Sequence, residues 1–191
     1  MSDWIASPRS AREIAAIAVT ARDIFGFNNS YVPNLAGILE NELPKIIPDY
    51  TFVVESVVFD GYGNAVFAQT HFTPPSISFT ESKYLGLVEN DPHARFTAAH
   101  ELGHLLLHRT DKKLNRAPGV QSKYSNKSYS SEWQANEFAA NFLVPEHIAT
   151  CFDDPSELSA NTLVSLRVAQ IRLTSLGLWP KERKLPKNFQ F

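Results

Sequence analysis

Three of the chain's six histidines fall in one mostly apolar stretch, RFTAAHELGHLLLH, at residues 95–108. His100 and His104 stand four apart, so on a helix their rings share one face, one turn from each other. Two imidazoles so spaced can hold a single zinc ion. Glu101, next to His100, can reach a water on that ion without binding the ion itself. The alternative is a core helix with a few satisfied polar residues. It is the poorer reading, because an unpaired buried histidine or glutamate is costly. Phe96, Ala99, Gly103 and Leu107 also place apolar surface on or beside the same face. Gly103 is expected to leave room beside the metal.

A catalytic zinc takes three protein ligands and keeps one position open. The longer His-Glu-x-x-His-x-x-Gly-x-x-His pattern is absent, since Leu107 and Thr110 stand at its last two places. The third ligand must come from elsewhere, and Glu132 is the best candidate. It opens EWQANEFAANFLV (132–144), where Ala135, Asn136, Ala139 and Leu143 share its helical face. It therefore turns inward with the apolar stripe. Asn136, one turn on, is placed to hydrogen-bond a ligand imidazole. The competing reading makes Glu132 a first-turn acid favoured by the helix dipole, with Ser131 and Gln134 as a capping box. A metal-binding helix that lacks its third ligand tips the balance to ligation. Glu137 is the reserve, but it projects off this face. His108 lies near the helix end, where the dipole favours a histidine anyway. It reads as a capping or orienting residue rather than a ligand.

These parts make a hydrolytic site. Zinc lowers the pKa of a bound water to roughly 7 and polarises a carbonyl. Glu101 carries the proton from that water to the leaving amine. A donor beside the metal should stabilise the oxyanion. Tyr124, Tyr129, His147 and Arg172 are the side chains to consider, and each reads more simply as a surface or packing residue. Cys151 is the one cysteine, which excludes a disulfide framework and fits a reducing compartment. Its thiolate could take zinc's open position as an off-switch. A small, half-buried packing residue is the simpler expectation.

The elements that must position these groups are marked by period and punctuation. Ser7-Pro8 can start a helix that carries Ile14, Ile17, Ala18, Ala21, Ile24 and Phe25 at helical spacing and ends at Gly26. A shorter helix is expected from Asn34 to Leu43, stopped by Pro44. TFVVESVVF (51–59) and NAVFAQT (64–70) flank Asp60-Gly61-Tyr62-Gly63, a hairpin turn signal. SISFT (76–80), after two prolines, reads as an edge strand able to pair with an extended substrate. Asp91-Pro92 can cap the histidine helix. Residues 110–131 show no period and read as a long loop, either a mobile lid or a connector. The helix after it ends at Pro145, and Asp154-Pro155 and Ser165 suggest caps for two last helices.

At 43% hydrophobic and 20% charged residues, the composition is that of a soluble globular chain, and one domain over residues 1–191 is expected. A net charge of −2 gives no field that would draw nucleic acid or an anionic membrane. Neither a signal-peptide core nor a membrane span is read, so a cytoplasmic location is expected.

RFTAAHELGHLLLH followed by EWQANEFAANFLVP resembles the ImmA/IrrE family of zinc metallopeptidases, and VSLRVAQIRLTSLGL (164–178) is similar to the family's C-terminal helical segment. The resemblance runs from about residue 60 to 178. It implies an α+β fold of compact zincin type: a small twisted sheet, the His-Glu-x-x-His helix behind it and a glutamate-bearing helix completing the site. It also implies one zinc per chain on His100, His104 and Glu132, with Glu101 as the base. The substrate class it implies is a helix-turn-helix transcriptional repressor. Larger members carry a further DNA-binding or sensor domain, for which this chain has little room. Two other readings compete. One is a zinc-containing, non-proteolytic binding module, anti-repressor or antitoxin-like, that inactivates a protein partner. Such a module would not need Glu101. The other is DNA binding through the helices at 155–178. Arg167 and Arg172 are too few for that, so no direct nucleic-acid binding is expected.

Overall fold

The structure, a computed structural model, describes residues 5–110 and 126–180. The first helix, α1 (Ala11–Ile24), begins three residues later than Ser7-Pro8 suggests. Ser10 and Glu13 form a reciprocal capping box: the Ser10 hydroxyl accepts from the Glu13 N–H, and the Glu13 carboxylate accepts from the Ser10 N–H. Two satisfied donors outweigh the proline signal. Residues 5–9 are thereby left extended. They lie against 128–130, with Ile5 bridged to Ser130, the Ala6 N–H donating to Tyr129 O and the Arg9 N–H to Ser128 O. Gly26, at φ +74°, ends the helix as its position suggested. The second helix, capped by Asn34, continues through Pro44 instead of stopping there. It is built as α2 (Leu35–Gly37), a π turn over Ile38–Glu42 and α3 (Leu43–Ile46). In the wider turn Leu43 donates five residues back to Ile38 O, and Pro44, which has no N–H to give, follows that shift in register.

The strands are β1 (Thr51–Glu55), β2 (Val58–Phe59), β3 (Ala65–Val66), β4 (Ala68–Phe72) and β5 (Pro75–Thr80). β2 and β3 form the hairpin around the Asp60-Gly61-Tyr62-Gly63 turn. The other three form a sheet in the order β1-β5-β4, with β1 parallel and β4 antiparallel to β5. The strand at 76–80 is therefore central, not an edge. Its Ile77 and Phe79 are fully buried, and such a pair gains most between two neighbours. The edge that faces the histidine helix is β4.

Next come α4 (Glu81–Val88) and α5 (Pro92–His108), the latter capped as expected by Asp91, whose Oδ1 accepts from the Ala94 N–H at 2.8 Å. A 3₁₀ turn at Lys127–Tyr129 leads into α6 (Ser131–Leu143). The cap of α6 is Ser130, accepting from the Trp133 N–H, and not Ser131. Most of the loop read as a lid, 111–125, lies outside the described residues. The short α7 (Glu146–Ala149) follows Pro145. Then α8 (Pro155–Thr162) and α9 (Leu166–Ser175) start at the expected caps, Asp154 and Ser165. None of the described helices is long and apolar enough to cross a membrane.

α5 is the centre of the molecule. It packs on β4 on one side and on α6 on the other, and α1 covers α6. Phe138, Ala139 and Phe142 of α6 and Ala98, Ala99, Leu102 and Leu105 of α5 are all fully buried. Arg22, wholly buried at the end of α1, donates to Phe142 O and Ser30 O, tying α1 to the end of α6. Burial, with nearby Arg95, pushes its pKa down to about 10, which still leaves it cationic at neutral pH. Gly103 makes room for α6 rather than for a metal. A Cβ there would lie 3.0 Å from Phe138 Cδ1 and 3.2 Å from Phe138 Cβ. The second of those atoms is anchored to the α6 backbone and cannot swing aside. Gly103→Ala would gain up to about 1 kcal/mol of helix propensity and lose about 1–3 kcal/mol to overpacking. The expected result is a net loss, seen as a lower denaturant midpoint in urea. A raised midpoint would show that the helices can part at no cost.

Candidate metal centre

The face of α5 carrying His100 and His104 meets the first turn of α6. His100 Nε2 lies 3.0 Å from His104 Nε2, and each lies 3.4 Å from a different oxygen of Glu132. Among the described residues these three form a group that could hold a metal ion, with all ligand atoms within 4.8 Å of one another. Nitrogen and oxygen donors about 2.0–2.1 Å from a tetrahedral zinc stand about 3.3 Å apart. The 3.0 Å between the two Nε2 atoms and the 3.4 Å from each to its own oxygen of Glu132 are of that size. Glu137, the reserve, is half-buried and instead accepts from Asn141 Nδ2.

The far side of each imidazole is also engaged. His100 Nδ1 is 3.0 Å from Asn136 Oδ1, the partner its helical position suggested. His104 Nδ1 is 3.2 Å from His108 Nδ1, and His108 Nε2 is 3.2 Å from Gln134 Oε1. His108 is thus the orienting residue that its position implied. Gln134 belongs to no capping box. It is fully buried and also binds Arg9, Ser7 and Ser128. Neither Arg9 nor Gln134 was found from the sequence, and with more than 120 positions between them nothing local marks the pair.

Glu101 sits on the sheet side of α5 and is fully buried. Thr70 on β4 donates from Oγ1 to Glu101 Oε2 at 2.6 Å. Oε1 has no partner among the described residues. A buried carboxylate oxygen left open beside a cluster of metal-ligand type is what a water on the metal would need, so the residues present fit the group. Thr70 was also missed. Only the alternation of Ala68, Thr70 and Phe72 on one face of β4 hints that a polar side chain is aimed at α5.

The remaining candidates lie elsewhere. Arg172 is buried and donates from Nε to Val144 O, and His147 Nε2 is 2.9 Å from Asn28 O. Tyr129 ends the 3₁₀ turn before α6, and Tyr124 lies outside the described residues. Cys151 is exposed, not half-buried; its Sγ donates to His147 O, and it is not in the metal-ligand group. A groove of about 430 Å³ opens one turn of α5 before Glu101, lined by Val57, Val66, Phe67, Ala68, Thr80 and Thr97.

A three-stranded sheet whose edge strand holds the glutamate of a buried His-Glu-x-x-His helix, with a second helix bringing a further glutamate to both histidines, defines a compact zincin-like fold. The chain matches the Peptidase M78 family model, the IrrE N-terminal-like domain, over residues 67–174 and belongs to that peptidase family. A solved Mycobacterium tuberculosis transcriptional regulator shares the fold, with a TM-score of 0.57 at 16% identity. That match covers 92% of this chain and 50% of the regulator, so this chain spans half the regulator's length. No curated protein matches the chain.

The charges have a consequence for the metal-free protein. Burial would lower His100, but the Glu132 hydrogen bond and the charges of Glu101 and Glu132 outweigh it and hold His100 above its ordinary 6.5. Burial would raise Glu132, yet the two imidazoles hold it well below its ordinary 4.5. The stability due to His100 is complete below pH 6.5 and is lost as pH rises through its raised value. That due to Glu132 is complete above pH 4.5 and is lost as pH falls through its depressed value. The metal-free chain should therefore melt at its highest temperature between these limits and lower at pH 8. Thermal unfolding across this range, with chelator present, checks it.

Thr70→Val tests the support of Glu101. It removes the hydroxyl at nearly constant volume and leaves both carboxylate oxygens without a side-chain donor. A loss of about 1–3 kcal/mol is expected in denaturant unfolding of the metal-free chain. An unchanged midpoint would show that Glu101 does not rely on Thr70.

Proposed function

We propose that the chain is a cytoplasmic, zinc-dependent endopeptidase that cuts a helix-turn-helix transcriptional repressor or a similar regulatory protein. The observation that carries this is Glu101: a carboxylate buried beside the His100, His104 and Glu132 cluster, held by Thr70 at one oxygen and open at the other. A site that only braced the fold would have no use for it.

His100 Nε2, His104 Nε2 and a Glu132 oxygen would hold the zinc. When bound, the ion supplies Lewis acidity, which polarises a carbonyl and brings the pKa of a coordinated water to roughly 7. Glu101 Oε1 takes a proton from the attacking water and returns it to the leaving amine. Thr70 keeps Oε2 occupied, so that Oε1 is the oxygen available for this. The substrate segment lies along β4. Because the Thr80 N–H donates to Phe67 O, the ladder alternation turns the backbone groups of Ala68 and Thr70 away from β5, toward the open edge. The Gln69 amide now covers Thr70 O at 2.9 Å and would be displaced by the incoming strand. The groove at Val66, Phe67 and Thr97 would take an apolar side chain of that segment.

The purified chain, incubated with the helix-turn-helix regulator encoded nearest its gene, should cut it, and chelator should stop the cutting. Elemental analysis should find about one zinc per chain, lost in His104→Ala. Full retention of zinc in that variant would remove His104 from the ligand set.

Glu101→Gln separates the enzyme from a binding module that inactivates its partner without cutting. It should keep zinc and regulator binding and lose cleavage by a factor on the order of 10²–10⁴. In cells it should fail to relieve repression. Full relief by this variant would transfer the function to the binding module.

A further inference from the structure

We propose that Arg9, Gln134 and His108 form a relay of positioning residues that fixes which nitrogen of His104 carries its hydrogen, and so presents the Nε2 lone pair to the metal. The relay rests on the metal-centre reading above, but its hydrogen bonds belong to the chain alone.

Donor and acceptor identities are enough to work it through. Gln134 sits with its Nε2 2.8 Å from Ser7 O and 2.7 Å from Ser128 O. Backbone carbonyls only accept, so the amide nitrogen must face them. Oε1 is then turned to Arg9 Nη1 at 3.0 Å and His108 Nε2 at 3.2 Å. An amide oxygen only accepts, so His108 carries its hydrogen on Nε2. In a neutral ring Nδ1 is then an acceptor. The atom 3.2 Å from it is His104 Nδ1, which must donate. His104 with its hydrogen on Nδ1 has its lone pair on Nε2, the atom that meets His100 and Glu132. In the metal-free chain the hydrogen between the two Nε2 atoms, 3.0 Å apart, then belongs to His100, whose Nε2 also faces Glu132 and whose Nδ1 is held by Asn136 Oδ1.

Arg9 makes the arrangement one-sided. A guanidinium has no acceptor, so a flipped Gln134 amide would set N–H against N–H. Arg9 is itself fixed by donating from Nη2 to Leu107 O at 2.9 Å, at the end of α5. It comes from the extended segment 5–9, which lies outside the family match at 67–174. That segment also pairs with 128–130, the residues just before Glu132. One strap thus steadies the carboxylate side of the site through backbone and the His104 side through Gln134.

Long-range proton–nitrogen correlation spectra of the metal-free full chain, recorded above the histidine titration range, read each ring's tautomer. The wild type should show His108 with hydrogen on Nε2 and His104 with hydrogen on Nδ1. Arg9→Met, at a half-buried position, should leave secondary structure intact, mix the His104 tautomers and weaken zinc binding about 10–100-fold. Gln134→Leu should do the same, and Arg9→Lys, which restores a donor, should recover much of the loss. If Gln134→Leu does not fold, the wild-type spectrum and Arg9→Met decide. Hydrogen on Nδ1 of His108 in the wild type, or an Arg9→Met chain with unchanged tautomers and zinc affinity, overturns the relay. A wild type that shows the expected tautomers but takes up no zinc overturns the proposed function and leaves the relay standing.

Discussion

The triangle of His100, His104 and Glu132 exists only because α5 and α6 pass close to one another. The approach is set where Gly103 meets Phe138, since no side chain other than hydrogen fits there without moving α6. Apolar burial on both helices supplies the attraction, and the glycine sets how far it runs. If the helices stood farther apart, the three ligand atoms would separate. Everything else packs around this contact: α1 closes over α6, and the sheet lies along the other side of α5.

A core of that kind tolerates polar groups only when their partners are built in. His100, Glu101, His104, His108 and Gln134 are all buried, on two helices whose other inner residues are apolar. Each has a designated neighbour: Asn136 for His100, Thr70 for Glu101, and a chain from Gln134 through His108 for His104. The partners come from three separate elements, β4, α5 and α6. The cost of burying an imidazole or a carboxylate is thus offset by bonds that also fix its direction. Stability and orientation are two results of the same contacts.

How much of this was legible in the sequence depended on how local each signal was. The histidine spacing, the Asp91-Pro92 cap, the inward face of Glu132 and the Asn136 contact all lie within one helix, where period alone places them. The 76–80 strand was misjudged because proline reports on a strand's start and not on its place in a sheet. That place was settled by parallel pairing with β1, a contact between distant segments. Gly103 was read correctly as a place of close approach and assigned to the wrong neighbour, since the sequence holds no information on which helix arrives there. Pro44 misled because a π turn can carry a proline that an α-helix would reject. Thr70, Gln134 and Arg9 were invisible for one shared reason: each acts on a residue at least 26 positions away.

The bonds that Gln134 makes to Arg9 and Ser7 span 125 and 127 residues. Contacts of such separation close very long loops, and loop closure of that kind is entropically costly and kinetically slow. The two central helices can find each other early, since far fewer residues lie between them. The strap at 5–9 is synthesised before α5 and α6, yet its bonds to Gln134 and to 128–130 can form only once α6 has been made. The histidine pair and its glutamate can therefore be assembled in rough form before their orientation is settled. The docking of residues 5–9 against Gln134 and 128–130 is what sets that orientation.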